Sequence, residues 1–214
     1  MSDVLGKQGL VIGAGVSGLA AAGVLASHFE QVTVLERDGL ADDPSHRPGP
    51  PQSRQLHGLL SGGLEALCQI FPGFDQDLAA AGAAPIRVAA DFREELPGFD
   101  PFPRRDFGGV AYAASRPLLE HTVRRRALAL RNVAIRDRCR VLELVSSADR
   151  RRVTGARCEG GPRDAGDGPG RPHRRRLRAR HAHARSARRH RSRAAVRDHR
   201  RCQHRLRHGS VRNP

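Results

Sequence analysis

Tryptophan is absent, lysine occurs once, at Lys7, and aromatic residues make up only 4% of the 214 residues. Cysteine is equally sparse: Cys68, Cys139, Cys158 and Cys202 lie far apart, with no CxxC pair and no His/Cys spacing suited to zinc. Neither a metal centre nor a disulfide framework is expected, and a reducing cytoplasmic setting fits. Long apolar runs are missing too. The most apolar stretch, Leu10 to Leu25, is broken by Gly13, Gly15, Gly18 and Gly23, and Asp3 stands before it where a secretory leader would be basic. No membrane span and no signal peptide are expected.

The net charge of +16 is distributed very unevenly. From Gly161 to Pro214 there are 18 Arg, no Lys and 3 Asp, which leaves 20 basic and 19 acidic residues in the stretch before it. Residues 1–160 are therefore nearly neutral, and the high isoelectric point belongs to the tail. That tail holds no Ile, Phe, Tyr, Trp or Met, and its only larger aliphatic residues are Leu177, Val196, Leu206 and Val211. It has too little apolar surface to offset the entropy of ordering a backbone, so disorder is expected over 161–214.

The informative residues lie in the first forty. Gly9-Leu10-Val11-Ile12 reads as a buried parallel strand with both faces covered. It is followed by Gly13-Ala14-Gly15-Val16-Ser17-Gly18, an apolar helix over Leu19 to Ala26, and a second, β-branched strand over Gln31 to Leu35 that ends at Glu36. Each glycine has a task in a dinucleotide-binding turn. Gly13 permits the sharp bend, Gly15 lets backbone approach a pyrophosphate, and Gly18 lets the helix pack close to the strand. The helix start offers unpaired N–H groups and a positive dipole end to phosphate. Glu36, 18 residues after Gly18, stands where a carboxylate accepts from a ribose 2′-hydroxyl and disfavours a 2′-phosphate. The motif alone does not separate FAD from NAD.

Farther along, Val34-Leu35-Glu36-Arg37-Asp38, the proline-rich stretch Arg47 to Leu60 and Ser115-Arg116-Pro117-Leu118-Leu119-Glu120 resemble FAD-dependent monooxygenases of the para-hydroxybenzoate-hydroxylase type, related to geranylgeranyl reductases and halogenases. Leu56, Leu59, Leu60, Leu64, Leu67 and Phe71 recur at helical spacing and predict one amphipathic helix stopped by Pro72-Gly73. Ser115 is a plausible N-cap for a second helix, with Pro117 in its first turn and Leu119, Val123, Ala127 and Leu130 on one face. Val133 to Ile135 and Val141 to Leu144 read as short strands.

The resemblance implies an α/β fold: a Rossmann-like FAD-binding domain over residues 1–160, with strands of a substrate-domain sheet within about 75–112. It implies FAD as cofactor, NAD(P)H as co-substrate and a small organic substrate that is hydroxylated or epoxidised. A reductase of isoprenoid double bonds is the alternative. The implied cofactor-binding residues are Gly13, Ala14, Gly15, Ser17, Gly18, Glu36, Arg37, Arg47 and Arg116, with the Arg47 to His57 loop near the flavin ring. Arg116 reads equally well as a solvated helix-start residue, and no catalytic role is placed on His57, because the cofactor carries the chemistry in such enzymes. Phe102, Phe107 and Tyr112 either line an apolar pocket or belong to the core, and the core is the more common fate of such residues.

After Val153 to Arg157 the resemblance implies a further strand and a segment like Val-Asp-Ala-Ser-Gly-Arg-Gly-Ser-Arg. Arginine takes its place. Reading codons for Arg175 to Ser186 one base later can encode Val-Asp-Ser-Gly-Arg-Gly-Thr-Arg-Thr-Pro-Gly, so an out-of-frame, truncated continuation from about Gly161 is expected. In that case the chain is an inactive fragment. The competing reading is a basic nucleic-acid-binding arm, attracted to phosphate by +15 of charge. The tail has no aromatic residue for base stacking, so nucleic acid is not the expected partner.

Overall fold

The computed structural model describes residues 4–46, 56–92, 95–101, 103–160 and 174–178. Arg47 and the rest of the ring-side loop to Gln55, Phe102, and the tail apart from 174–178 lie outside the described residues.

The chain opens with the expected unit. Strand β1 (Gly6–Ile12) leads through the glycine turn into helix α1 (Val16–Ala26) and then strand β2 (Phe29–Leu35). β2 pairs in parallel with β1 on one side and with β6 (Val133–Arg136) on the other. β2 is the buried strand, with Val32, Thr33, Val34 and Leu35 all shielded. β1 departs from the expectation of two covered faces: Gly9 and Val11 are buried, but Ile12 is 54% exposed. The cause is its register beside β2. Val11 points into the layer that holds α1, while on the other face Gln8 and Leu10 are half-buried and Leu10 packs on a small cluster of Leu35, Cys139, Ala156 and Cys158.

A second, antiparallel sheet follows, ordered β3 (Leu56–Leu59), β5 (Val110–Ser115), β4 (Ala84–Arg87). Here one expectation fails. The single helix over 56–71 is instead β3 followed by α2 (Ser61–Ile70), with Leu60 as N-cap and 70% exposed. Residues 56–59 find their backbone partners across the sheet, from Leu56 opposite Ser115 to Leu59 opposite Tyr112. A helix there would forfeit those ladder bonds. The helical spacing does hold for Leu64, Leu67 and Phe71, which are buried. α3 (Phe74–Ala80) adds Phe74 and Leu78 to the same core.

α4 (Arg116–Leu128) forms as the sequence suggests, with Leu118 N–H donating to Ser115 Oγ at 3.3 Å and Leu119, Val123 and Ala127 buried. α4 packs against α1, and both share one continuous core with Val11, Val32 and Val34. Tyr112 is 2% exposed in that core, whereas Phe107 is 67% exposed and lies outside it. The last sheet is antiparallel: β7 (Cys139–Ser146), β8 (Val153–Gly160), β9 (Arg174–Arg178). The expected disorder of the tail is therefore interrupted at Arg174–Arg178. An adjacent strand needs only backbone donors and acceptors, and β8 supplies them from Gly155 to Glu159.

Candidate functional site

The glycine turn is built by two requirements on its backbone. Gly13 leaves β1 with φ +96°, in the left-handed region that side chains disfavour, and its N–H donates to Leu35 O at 2.7 Å. Gly18 faces back onto the turn: a Cβ there would lie 2.0 Å from Gly13 O. Between them Gly15 is the extended N-cap of α1, and Leu19 N–H donates to its carbonyl at 2.9 Å. No side chain of the helix start caps the first turn, and that turn carries no acid. The first N–H groups of a helix lack partners within the helix itself, so such a start can receive an anion. A Cβ on Gly15 would have one neighbour among the described residues, Glu120 Oε2 at 3.9 Å.

Glu36 sits at the end of β2, beside this turn, and is 6% exposed. Ala14 N–H donates to its Oε2 at 2.7 Å and Asp38 N–H to its Oε1 at 3.0 Å. Its own backbone is fixed as well, N–H to Arg136 O at 2.9 Å and C=O from Cys139 N–H at 2.7 Å. Such charge-assisted bonds orient a carboxylate that can accept about four hydrogen bonds in all. Strand pairing thus brings together residues that the sequence separates by more than twenty positions.

The other sequence-derived site residues divide. Ala14 is fully buried in the turn, and Ser17 is exposed in the first turn of α1. Arg37 turns outward, 63% exposed, with Nε 3.6 Å from an Asp38 carboxylate oxygen. Arg116 is the first residue of α4, half-buried, and its Nε is buried without a hydrogen-bond partner among the described residues. A buried guanidinium nitrogen left in this state is a donor awaiting an acceptor. His57 is half-buried in β3, opposite Ala114.

Two residues escaped the sequence reading. Glu120, buried at 6%, lies one helical turn after Arg116 and reaches Gly15. Its i+4 spacing from Arg116 was the signal available. Asp137 accepts from Leu40 N–H at 3.1 Å across a separation of 97 residues, and no local pattern announces that contact. A shallow polar pocket lined by Asp43, Ser45, Glu120, His121 and Arg124 adjoins the turn. There Arg124 donates to Ala41 O, and burial, reinforced by Arg124 and Arg125, holds the His121 imidazole below its ordinary pKa. Cys139 and Cys158 are buried, and burial together with the hydrogen bond that the Cys139 thiol donates to Cys158 pushes the Cys139 thiol up to about 12, which leaves it a poor nucleophile at neutral pH. Among the described residues no His/Cys/Asp/Glu group is arranged to hold a metal ion, and no helix is long and apolar enough to cross a membrane.

No protein-family profile matches the chain. Protein Rv3254 of Mycobacterium tuberculosis is 40% identical over 131 residues, a match covering 59% of this chain and 27% of that protein. The chain thus spans about a quarter of the length of that relative. Among solved structures, PqsL, a probable FAD-dependent monooxygenase from Pseudomonas aeruginosa, aligns with a TM-score of 0.50 and 15% identity, covering 72% of this chain and 38% of PqsL. A mutant form of PqsL gives a TM-score of 0.51 at 15% identity, over 72% and 39% of the two chains. These likenesses establish a shared fold, with helices packed on a parallel sheet.

Proposed function

We propose that the chain carries the ADP-binding half of a flavin site, as part of an FAD-dependent oxidoreductase that uses NAD(P)H to hydroxylate or epoxidise a small organic substrate. The observation that carries the reading is Glu36. A carboxylate that ends β2, is buried at 6% and is oriented by Ala14 N–H of the glycine turn suits a ribose hydroxyl donor better than a structural role alone. The fold shared with PqsL supports the flavin assignment over a simple nicotinamide dehydrogenase.

The residues present fit the adenosine diphosphate part. The uncapped start of α1 and the side-chain-free Gly15 would receive the pyrophosphate. Glu36 would accept from the ribose, and its negative charge would repel a 2′-phosphate. Arg116, with its unpartnered Nε, would donate to the phosphate or ribose side. Bound FAD would supply the redox chemistry of the proposed hydroxylation or epoxidation. The protein's share is to bind, orient and exclude water. Gly13, Ala14, Gly18 and Glu36 form the rigid part of that task. Arg37 and Ser17 border the site from exposed positions, and Arg47, outside the described residues, is included on the sequence resemblance alone. The β3–β5–β4 sheet is assigned to the substrate side.

The test is reconstitution. The purified full chain is mixed with FAD and passed through a desalting column. Co-elution of flavin absorbance with wild type, and its loss in Glu36→Ala and Gly18→Val, is expected. Colourless wild-type protein overturns the proposal.

A further inference from the structure

We infer that Cys139 and Cys158 form a dithiol modification site, at which hydrogen peroxide closes a disulfide between β7 and β8. The inference stands apart from the reading of Glu36 and the glycine turn and uses neither.

The two cysteines share one face of the last sheet. In the β7–β8 ladder Cys139 stands opposite Gly160 and Val141 opposite Cys158, so the cysteines are diagonal neighbours on adjacent strands. Gly160 contributes no side chain beside Cys139, and a Cβ there would lie 2.2 Å from Arg138 O, so the position stays open on that side. Both thiols are shielded, at 4% and 1% exposure, in the small cluster with Leu35 and Ala156 on which Leu10 packs. The Cys139 thiol donates a hydrogen bond to the Cys158 sulfur, so the two sulfurs are already neighbours. A single buried cysteine serves as a small apolar side chain. Two that meet through their sulfurs bring together both atoms that a disulfide joins. Cys68, the other cysteine among the described residues, lies on α2 against the larger core, away from this cluster.

Burial, reinforced by the hydrogen bond to Cys158, keeps the Cys139 thiol protonated, so the closed sheet does not react as a surface thiolate would. Oxidation follows local opening of β7. Among the described residues this strand is an edge of its sheet, its ladder shifts register between Val141 and Glu143 and between Val145 and Ser146, and Arg140, Leu142, Glu143 and Leu144 are exposed. Segments with few buried contacts open at lower cost than the core. Once peroxide enters, one sulfur attacks a peroxide oxygen: the O–O bond breaks, that sulfur becomes a sulfenic acid, and the other oxygen leaves as water. The second sulfur then attacks the first. The S–S bond forms, the S–O bond breaks, and the hydroxyl leaves as water with the second thiol's proton. Two thiols are oxidised and one peroxide is reduced to two waters.

The test treats the folded full chain with hydrogen peroxide, removes the peroxide, blocks remaining thiols with iodoacetamide in urea and cleaves after glutamate. Cleavage there places Cys139 in 121–143 and Cys158 in 144–159, each without a second cysteine. The expected product is these two peptides joined, lighter by two hydrogens than their sum and separated again by dithiothreitol. The bridge closes a loop of about 20 residues, so the melting midpoint rises by about 5 °C. In Cys139→Ser neither the joined peptide nor the rise is seen, and Cys158→Ala replaces that variant should it not fold. The wild-type result stands without either. Cys139 and Cys158 recovered in alkylated form, oxidised separately to sulfinic acids, or joined to Cys68 or Cys202 instead would overturn the inference. So would a bridge that forms only when the chain is unfolded in urea before peroxide is added.

Discussion

The β1–α1–β2 unit and the antiparallel β3–β5–β4 sheet differ in where their polar and apolar groups go. In the first, Leu19, Val32, Val34 and Leu35 are buried and the one buried carboxylate, Glu36, is bonded to backbone on both oxygens. Around the second, Phe92, Phe99 and Phe107 are 57%, 76% and 67% exposed, and the Arg87–Asp91 ion pair at 2.6 Å lies on the surface. That exposed pair holds the Asp91 carboxyl at about 2, below the usual carboxylate range. The cradle is closed by contacts within one βαβ unit and the strand beside it. The segment between β4 and β5, by contrast, leaves Phe92, Phe99 and Phe107 in water, while Ala111, Tyr112 and Ala114 of β5 are buried.

Substitutions can break that comparison, and the largest effect is expected at Gly18. Gly18→Val forces a Cβ against Gly13 O, which stands 2.0 Å from the ideal position. Overpacking against backbone costs about 3 kcal/mol, and ADP binding is lost with it. Urea denaturation and calorimetry measure the two losses. Leu119→Ala, in the core shared by α1 and α4, lowers stability by about 3 kcal/mol, read as a shifted denaturation midpoint. Ser115→Ala removes the α4 N-cap and costs about 1 kcal/mol, and it also loosens the mount of Arg116. At the other end of the scale, Phe107→Ser in the exposed region leaves stability within about 0.5 kcal/mol, since little burial is lost. A large loss there would erase the contrast between the two regions.

The same contrast explains how much could be read from the sequence. The βαβ unit was legible because its signals are local: glycine spacing, a β-branched run and an acid at the strand end. Its elements lie within a few residues of expectation, with α1 starting at Val16 rather than Leu19. The leucines of 56–60 misled, since their spacing suits a helix while their pairing partners on β5 lie more than fifty residues away. α3 and β9 carried no usable pattern, and β9 pairs with β8 through backbone. Of the candidate site, Gly13, Gly18 and Glu36 are named by spacing alone. Glu120 and Asp137 are not, because what marks them is proximity to Gly15 and a hydrogen bond from Leu40 in the folded chain.

The central claim is that Glu36 and the glycine turn form one ligand site. Calorimetric titration of ADP into the full chain and into Glu36→Ala tests it most directly. Saturable binding by wild type that falls at least tenfold in the variant, with the melting profile retained, is the predicted result. Equal affinity of the two proteins for ADP, or no binding by either, would contradict it.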